Sequence, residues 1–310
     1  MYKVLALAGG VGGAKLVFGL SKILKPKELS TVVNTADDDI FHGLHVSPDV
    51  DTVMYALAGL TNKTTGWGIE GDTFLTLSAL ERLGEETWFQ LGDLDLATHI
   101  KRTLMLNSGK SLSEATDSLA KSLGILHDVI PMSDDPVKTI AITETEELDF
   151  QDYFVRQKCE PIIRGVRFEG ISKAKPTTEF INKISQSDAI IICPSNPIVS
   201  IPPILELPGI KELISKFPGK RIAISPIVGR QALKGPAAKM MKELNEDVSS
   251  IGVAKRYIGI CDWFVIDKAD TEEAEAIKKL GMKVHITSTI MNSDQEKINL
   301  AKEVLNLIKI

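Results

Sequence analysis

Cysteine is scarce in this chain. Cys159, Cys193 and Cys261 are its three cysteines, far apart and with no C-x-x-C pair. An odd, scattered set argues against a disulfide framework. Cys193 and Cys261 lie in apolar runs and read as small buried hydrophobes, as suits the reducing cytoplasm where the protein is expected. Long apolar runs are also missing. The opening "MYKVLALAGG" holds about six apolar residues before glycine, too few for a signal peptide or a membrane span, and no later run reaches ~18. Basic charge is not in excess. A formal net charge of -5 makes nucleic acid a poor partner, although local basic groups suit a small phosphate ligand. Internal repeats and low-complexity segments are absent. What is present is ordinary globular composition, 44% hydrophobic and 25% charged, over 310 residues, longer than a usual single core.

Val4 to Ala8 is a continuous apolar run ended by glycine, as expected of a strand buried on both faces. Leu16, Leu20 and Leu24 follow at helical spacing, and a second strand over Thr31–Asn34 runs into "NTADDD". "SPDVDTVMYALAGL" predicts a helix with Ser47 as N-cap, Pro48 in the first position, Asp49 and Asp51 in the first turn and Gly59 past the end. Residues 71–124 read as helical, and 126–172 as short strands of a smaller sheet. From 189 onward "AIIIC", "RIAIS", "WFVID" and "KVHIT" alternate with helical stretches, the pattern of parallel βαβ units. The predicted fold is α/β: a doubly wound, mostly parallel, Rossmann-like sheet built from 1–60 and 175–310. Residues 61–174 form a largely helical insert with a small sheet, capping the active site.

Gly9, Gly10, Gly12 and Gly13 lie between the first strand and its helix. Such a turn exposes backbone N–H groups at a helix N-terminus, where the partial positive charge suits a phosphate. Lys15 stands where a dinucleotide fingerprint has its third glycine, and no G-K-S/T follows, so neither a standard NAD turn nor a P-loop is present. The plain alternative is a tight strand–helix turn. Asp37, Asp38 and Asp39 follow the second strand, where ligands of parallel sheets bind. With Asp49 and Asp51 they offer oxygen ligands of the kind Mg2+ takes, or simply acids at a helix start. In "WFQLGDLDLATHIKRT", His99 has Asp95 four residues before it as its only close partner and reads as structural. Ser195, Asn196 and Ser200 in "CPSNPIVSIPPIL", and the loop "SPIVGRQALKGPAAKM", follow strands and open at the same sheet edge.

Taken in order, "LAGGVGGAKL", "VNTADDDIFHGLHVSPDVDTVMY", "WGIEGDTF", "LGDLDLATHIKRT" and "CPSNPIVSI" resemble the 2-phospho-L-lactate transferase family of coenzyme F420 biosynthesis. The likeness runs through "IPMSDDPV" and "SPIVGRQALKGPAAK" over essentially the whole chain. A related group of regulatory nucleotide-sugar-binding proteins shares the glycine turn but is not expected to carry "WGIEGDTF" and "LGDLDLATH" in this form.

The resemblance implies a reaction. The 2-phospho-L-lactyl group would pass from lactyl-(2)-diphospho-(5')-guanosine to the terminal ribityl hydroxyl of the deazaflavin Fo (7,8-didemethyl-8-hydroxy-5-deazariboflavin), releasing GMP with Mg2+ as cofactor. Some members use a phosphoenolpyruvate-derived donor, and the sequence leaves the donor open. The resemblance also implies roles. Gly10, Gly12, Gly13, Asn34, Ser195 and Asn196 would lie by the guanosine diphosphate portion. Asp37, Asp38 and Asp49 would hold the metal. Asp51 would meet the ribityl end as acceptor or general base. Gln90 aligns with a second Fo contact; other members can have arginine there, and glutamine brings no charge. Asp93 and Arg102 would be pocket groups or support them. The expected partners are these small molecules, with no nucleic acid and no membrane, and a homodimer is compatible. Two readings compete: a non-catalytic nucleotide-sugar-binding regulator of the same fold, and an NAD(P)-dependent oxidoreductase.

Overall fold

The computed structural model describes residues 2–232 and 235–309. Its strands are β1 (Val4–Ala8), β2 (Leu29–Val33), β3 (Asp39–Phe41), β4 (Leu44–Val46), β5 (Asp128–Pro131), β6 (Lys138–Thr143), β7 (Glu147–Asp149), β8 (Ile163–Glu169), β9 (Ala189–Ile192), β10 (Lys220–Ile224), β11 (Ile227–Val228), β12 (Gln231–Ala232), β13 (Trp263–Asp267) and β14 (Lys283–Thr287). Its helices are α1 (Gly10–Ser21), α2 (Pro48–Ala58), α3 (Leu75–Arg82), α4 (Asp93–Asn107), α5 (Leu112–Ser122), α6 (Thr178–Gln186), α7 (Pro202–Glu206), α8 (Ile210–Ser215), α9 (Ala237–Glu243), α10 (Ser250–Arg256), α11 (Ala274–Lys279) and α12 (Asp294–Ile308). None is long and apolar enough to cross a membrane.

Seven strands make one parallel sheet in the order β14-β13-β10-β9-β1-β2-β5. The apolar runs follow from burial on both faces. Along β1, Val4, Ala6 and Ala8 enter the core under α1, α2, α5 and α12. Leu5 and Leu7 enter the opposite core, covered by α6 to α11 and by the three-stranded sheet β7-β6-β8. The chain winds outward in both directions from β1 and β9. These neighbours, paired Leu7 to Ile192, are the switch point at whose carboxyl ends such sheets bind ligands. The loops leaving those ends begin at Gly9 and Cys193.

The doubly wound α/β architecture is as predicted. One strand departs from the expected division of the chain. β5 lies within 61–174 yet pairs with β2, Ser30 with Asp128 through Val33 with Pro131, and so belongs to the central sheet. Asp128 opens β5 and Pro131 closes it, so the strand does not display the run that marks the other central strands. The cap of α2 also differs: Ser47 precedes the helix, but its hydroxyl donates to Asp38 Oδ2 at 2.7 Å and caps no amide. In the loop "SPIVGRQALKGPAAK", Leu233 and Lys234 lie outside the described residues.

Candidate active site

The two switch-point loops, the carboxylate stretch and the insert converge on one cavity of about 740 Å³, within the usual size of small-molecule sites. Gly10, Gly12, Asp37, Asp49, Asp51 and Ser195 are on its wall.

The four leading N–H groups of a helix have no partner within it. In α1 the Gly9 amide donates to Ser195 Oγ at 3.0 Å and that of Gly10 to Asp49 Oδ1 at 2.7 Å. The next two, on Val11 and Gly12, are on the cavity wall. The amides open to the cavity thus lie on Val11 and Gly12, and glycine spacing alone does not mark Val11. Gly10 has φ +61 and Gly12 stands against the facing loop, where a Cβ would be 2.2 Å from the Pro194 carbonyl oxygen. Gly13 corrects its assignment as a phosphate contact. It is buried off the cavity wall, its space taken by Ser195 Oγ and Ala8, so it serves close helix–strand packing. Asn196 reaches the wall, but its Oδ1 accepts from the Ile198 amide at 2.9 Å and shapes the 194–200 loop.

Asn34 is fully buried beneath the wall, which corrects its placement as a direct nucleotide contact. Its Nδ2 donates to Asp37 Oδ2 at 2.9 Å and to Asp49 Oδ2 at 3.1 Å, tying the two carboxylates together. Burial, then the charge of Asp49, pushes the Asp37 carboxyl well above the carboxylate range. Burial pushes Asp49 up to about 6 against the hydrogen bonds from Asn34 and Gly10. Asp37 Oδ1 is buried and has no hydrogen-bond partner among the described residues. Two crowded acids with an orphaned oxygen fit a cation. Among the described residues no group of three His, Cys, Asp or Glu is arranged for a metal. A two-carboxylate set suits Mg2+, which completes its shell with water and substrate phosphate. Asp38 corrects the predicted triad: it is off the cavity wall, and its Oδ2 takes the Ser47 hydroxyl and lies 3.1 Å from His45 Nε2.

Asp51 and Tyr55 share a face of α2, four residues apart, and meet Asp95, His99 and Arg102 of α4. Arg102 is 0% exposed, and its Nη2 donates to Asp51 Oδ1 while Nη1 donates to Asp51 Oδ2 at 3.1 Å. It supports Asp51 from behind and is not itself on the cavity wall. His99 Nδ1 is 3.3 Å from Arg102 Nη1 and 3.6 Å from Asp51 Oδ2, and its Nε2 is 3.2 Å from Asp95 Oδ1. Asp95 is thus not its only partner: Asp51, 48 residues earlier, is invisible at helical spacing. Tyr55 donates to Asp95 Oδ1 at 2.5 Å. Burial, then the charges of Asp51 and Asp95, pushes the Tyr55 hydroxyl far above its ordinary value. Burial works against the Asp95 carboxylate, but the contacts with His99, Tyr55 and Arg102 together hold that carboxyl below its ordinary value. Tyr55 was also missed; its i+4 relation to Asp51 was the available signal.

At the insert end, Trp67, Phe89, Phe154 and the exposed Gln90 are on the wall. Phe89 stacks on Phe41 with ring centroids 3.9 Å apart, and Phe154 on Phe150 at 5.5 Å. Asp93 is off the wall, so of its two expected roles, pocket group or support, the geometry leaves the supporting one. Its carboxylate accepts from Thr73 Oγ1 at 2.5 Å, Leu75 N at 3.0 Å and Thr76 N at 2.9 Å, opening α3. Those bonds, the Thr73 hydroxyl first, hold it well below the usual carboxylate range. Asp72 returns the arrangement at α4, accepting from Leu94 N at 2.8 Å and Asp95 N at 3.0 Å. A Cβ on Gly92 would meet Asp72 Oδ2 at 2.1 Å. "WGIEGDTF" and "LGDLDLATH" are thus two halves of one reciprocal clamp.

A family model described as 2-phospho-L-lactate transferase CofD matches residues 4–306. Proteins named 2-phospho-L-lactate transferase are similar over nearly the full length. That of Methanosarcina acetivorans is 41% identical over 304 residues, 98% of each chain. That of Methanocaldococcus jannaschii is 41% identical over 309 residues, again 98% of each. That of Methanothermobacter thermautotrophicus is 37% identical over 305 residues and 98% of each. A crystal structure of a UPF0052-family protein from Bacillus halodurans shares the fold, with TM-score 0.64 at 19% identity over 98% of this chain and 99% of that one. A cavity at the switch point, with an amide cradle, paired acids and a clamped Asp51, thus accompanies full-length kinship: the chain belongs to the 2-phospho-L-lactate transferase CofD family.

Proposed function

We propose that this protein transfers a 2-phospho-L-lactyl group from lactyl-(2)-diphospho-(5')-guanosine to the terminal ribityl hydroxyl of Fo and releases GMP. One observation carries the reading: a single cavity joins a helix N-terminus, the Asp37–Asp49 pair and Asp51. A diphosphate fits the Val11 and Gly12 amides, where the helix dipole favours negative charge. The acceptor hydroxyl donates to a lone pair that Asp51 keeps beyond its two bonds to Arg102. Attack at the lactyl-bearing phosphorus cleaves the bridging P–O bond, and the hydroxyl proton passes to Asp51 as GMP departs. Phosphoryl transfer asks the protein chiefly for alignment and charge neutralisation. Asp37 and Asp49 would hold magnesium, which when bound would supply positive charge against the diphosphate. Trp67, Phe89 and Phe154 offer flat apolar surfaces to a tricyclic acceptor.

Incubation with Fo, the guanosine donor and Mg2+ is expected to yield GMP and a phosphodiester of Fo. The absence of GMP with both the lactyl and the enolpyruvyl donor would overturn the reading. Nucleotide binding without turnover would point to the regulatory relatives instead.

The paired acids give a second expected result. Asp49 is raised to about 6 in the folded chain from the ordinary 3.8. The folded state then holds the extra proton between these values, so this group's contribution to stability falls as pH rises through that window. A bound cation removes the penalty. Mg2+ is expected to raise the Tm at pH 7.5 and to do so far less at pH 5, with Asp37→Asn abolishing the shift. A Tm indifferent to Mg2+ at pH 7.5 would remove the metal from this pair.

A further inference from the structure

Arg102 Nη1 is shared among three acceptors: Asp51 Oδ2 at 3.1 Å, His99 Nδ1 at 3.3 Å and the His45 carbonyl oxygen at 3.4 Å. Arg102 is always a donor. His99 Nδ1 therefore meets it with a lone pair, which leaves the imidazole proton to Nε2, 3.2 Å from Asp95 Oδ1 but not in line for a hydrogen bond with it. Asp95 is in turn fixed by the Tyr55 hydroxyl on one oxygen and by its own amide's bond to Asp72.

We propose that His99 is a positioning residue that carries its proton on Nε2, and that its bare Nδ1 sets the angle at which Arg102 grips Asp51. This rests on the reading that Asp51 meets the acceptor hydroxyl. Without the Nδ1 acceptor the guanidinium is free to rotate toward the His45 carbonyl, and the Asp51 carboxylate turns with it. The charged groups around His99 are Asp51 from α2, with Tyr55 acting through Asp95, and Asp95 and Arg102 from α4. Asp38, with His45, faces Arg102 from the hairpin side.

Two substitutions separate this role from packing. In His99→Gln the amide reaches toward Asp95 but leaves the Nδ1 position empty. In His99→Asn the carboxamide oxygen stands near that position and accepts from Arg102. The expected result is a kcat about tenfold lower for His99→Gln, a smaller loss for His99→Asn, and unchanged KM for both substrates. Nitrogen NMR of the histidine-labelled, ligand-free protein is expected to show a bare Nδ1 and a protonated Nε2 for His99 at pH 7.5. A proton on Nδ1 at that pH, equal losses in the two variants, or a KM that moves with kcat would overturn the proposal. The NMR result needs no turnover, so it stands or falls apart from the assignment of Asp51 to the acceptor.

Discussion

Arg102→Met is expected to lower the free energy of unfolding by about 3–5 kcal/mol, the usual cost of removing one partner from a buried ion pair. Arg102 is 0% exposed and Asp51 4% exposed, so neither charge recovers hydration when the other is lost. Methionine replaces much of the volume, which confines the loss to electrostatics. Against a typical total of roughly 5–15 kcal/mol, this is a large fraction. Urea unfolding at pH 7.5 measures it. The double variant Asp51→Asn, Arg102→Met is expected to recover most of the loss, because two neutral groups then occupy the site. A single variant as stable as the parent would mean that water reaches the pair, and the account of a dry clamp would fail.

Asp51→Asn is expected to cut turnover by roughly 100-fold or more, with GDP affinity changed little. The carboxamide keeps the shape but surrenders one acceptor and the negative charge that receives the proton. In the proposed reading the nucleotide end is built by other groups, the α1 amides, Ser195 and the Asp37–Asp49 pair, which line the same cavity. The variant also leaves Arg102 facing a neutral group, so it is expected to be less stable, and rates belong on protein checked for folding well below its melting point. Titration calorimetry with GDP and a steady-state assay test the division. A near-normal rate would remove Asp51 from the chemistry, and a lost GDP site would show that the two ends of the cavity are not independent.

Much of the scaffold was readable from the letters because strands buried on both faces need unbroken apolar runs. β1, β9, β10 and β13 carry them. β5 hid because "DVIP" begins with an acid and ends with proline, leaving two apolar residues between them. The site was readable as a set of segments but not as a set of contacts. Asp93 looked like a ligand group because an acid before a helix resembles both a site and a clamp, and only the position of residues 73–76 distinguishes them. Gly13 looked like Gly12 in the text, yet one faces a strand and the other a loop carbonyl. His99 looked solitary because its second acid comes from another helix. Each of these depends on distances between residues far apart in the chain, which periodicity does not encode.

The reciprocal bonds of Asp72 and Asp93 have an evolutionary corollary. They anchor both borders of residues 76–92, and α4 takes its starting point from Asp72 rather than from the intervening residues. That stretch includes Phe89 and Gln90, which face the cavity. Descendants of this scaffold that keep Gly92 and the buried Leu91 are free to recompose the rest of the stretch, and on the proposed reading so to accept differently shaped alcohols while the nucleotide end keeps its place.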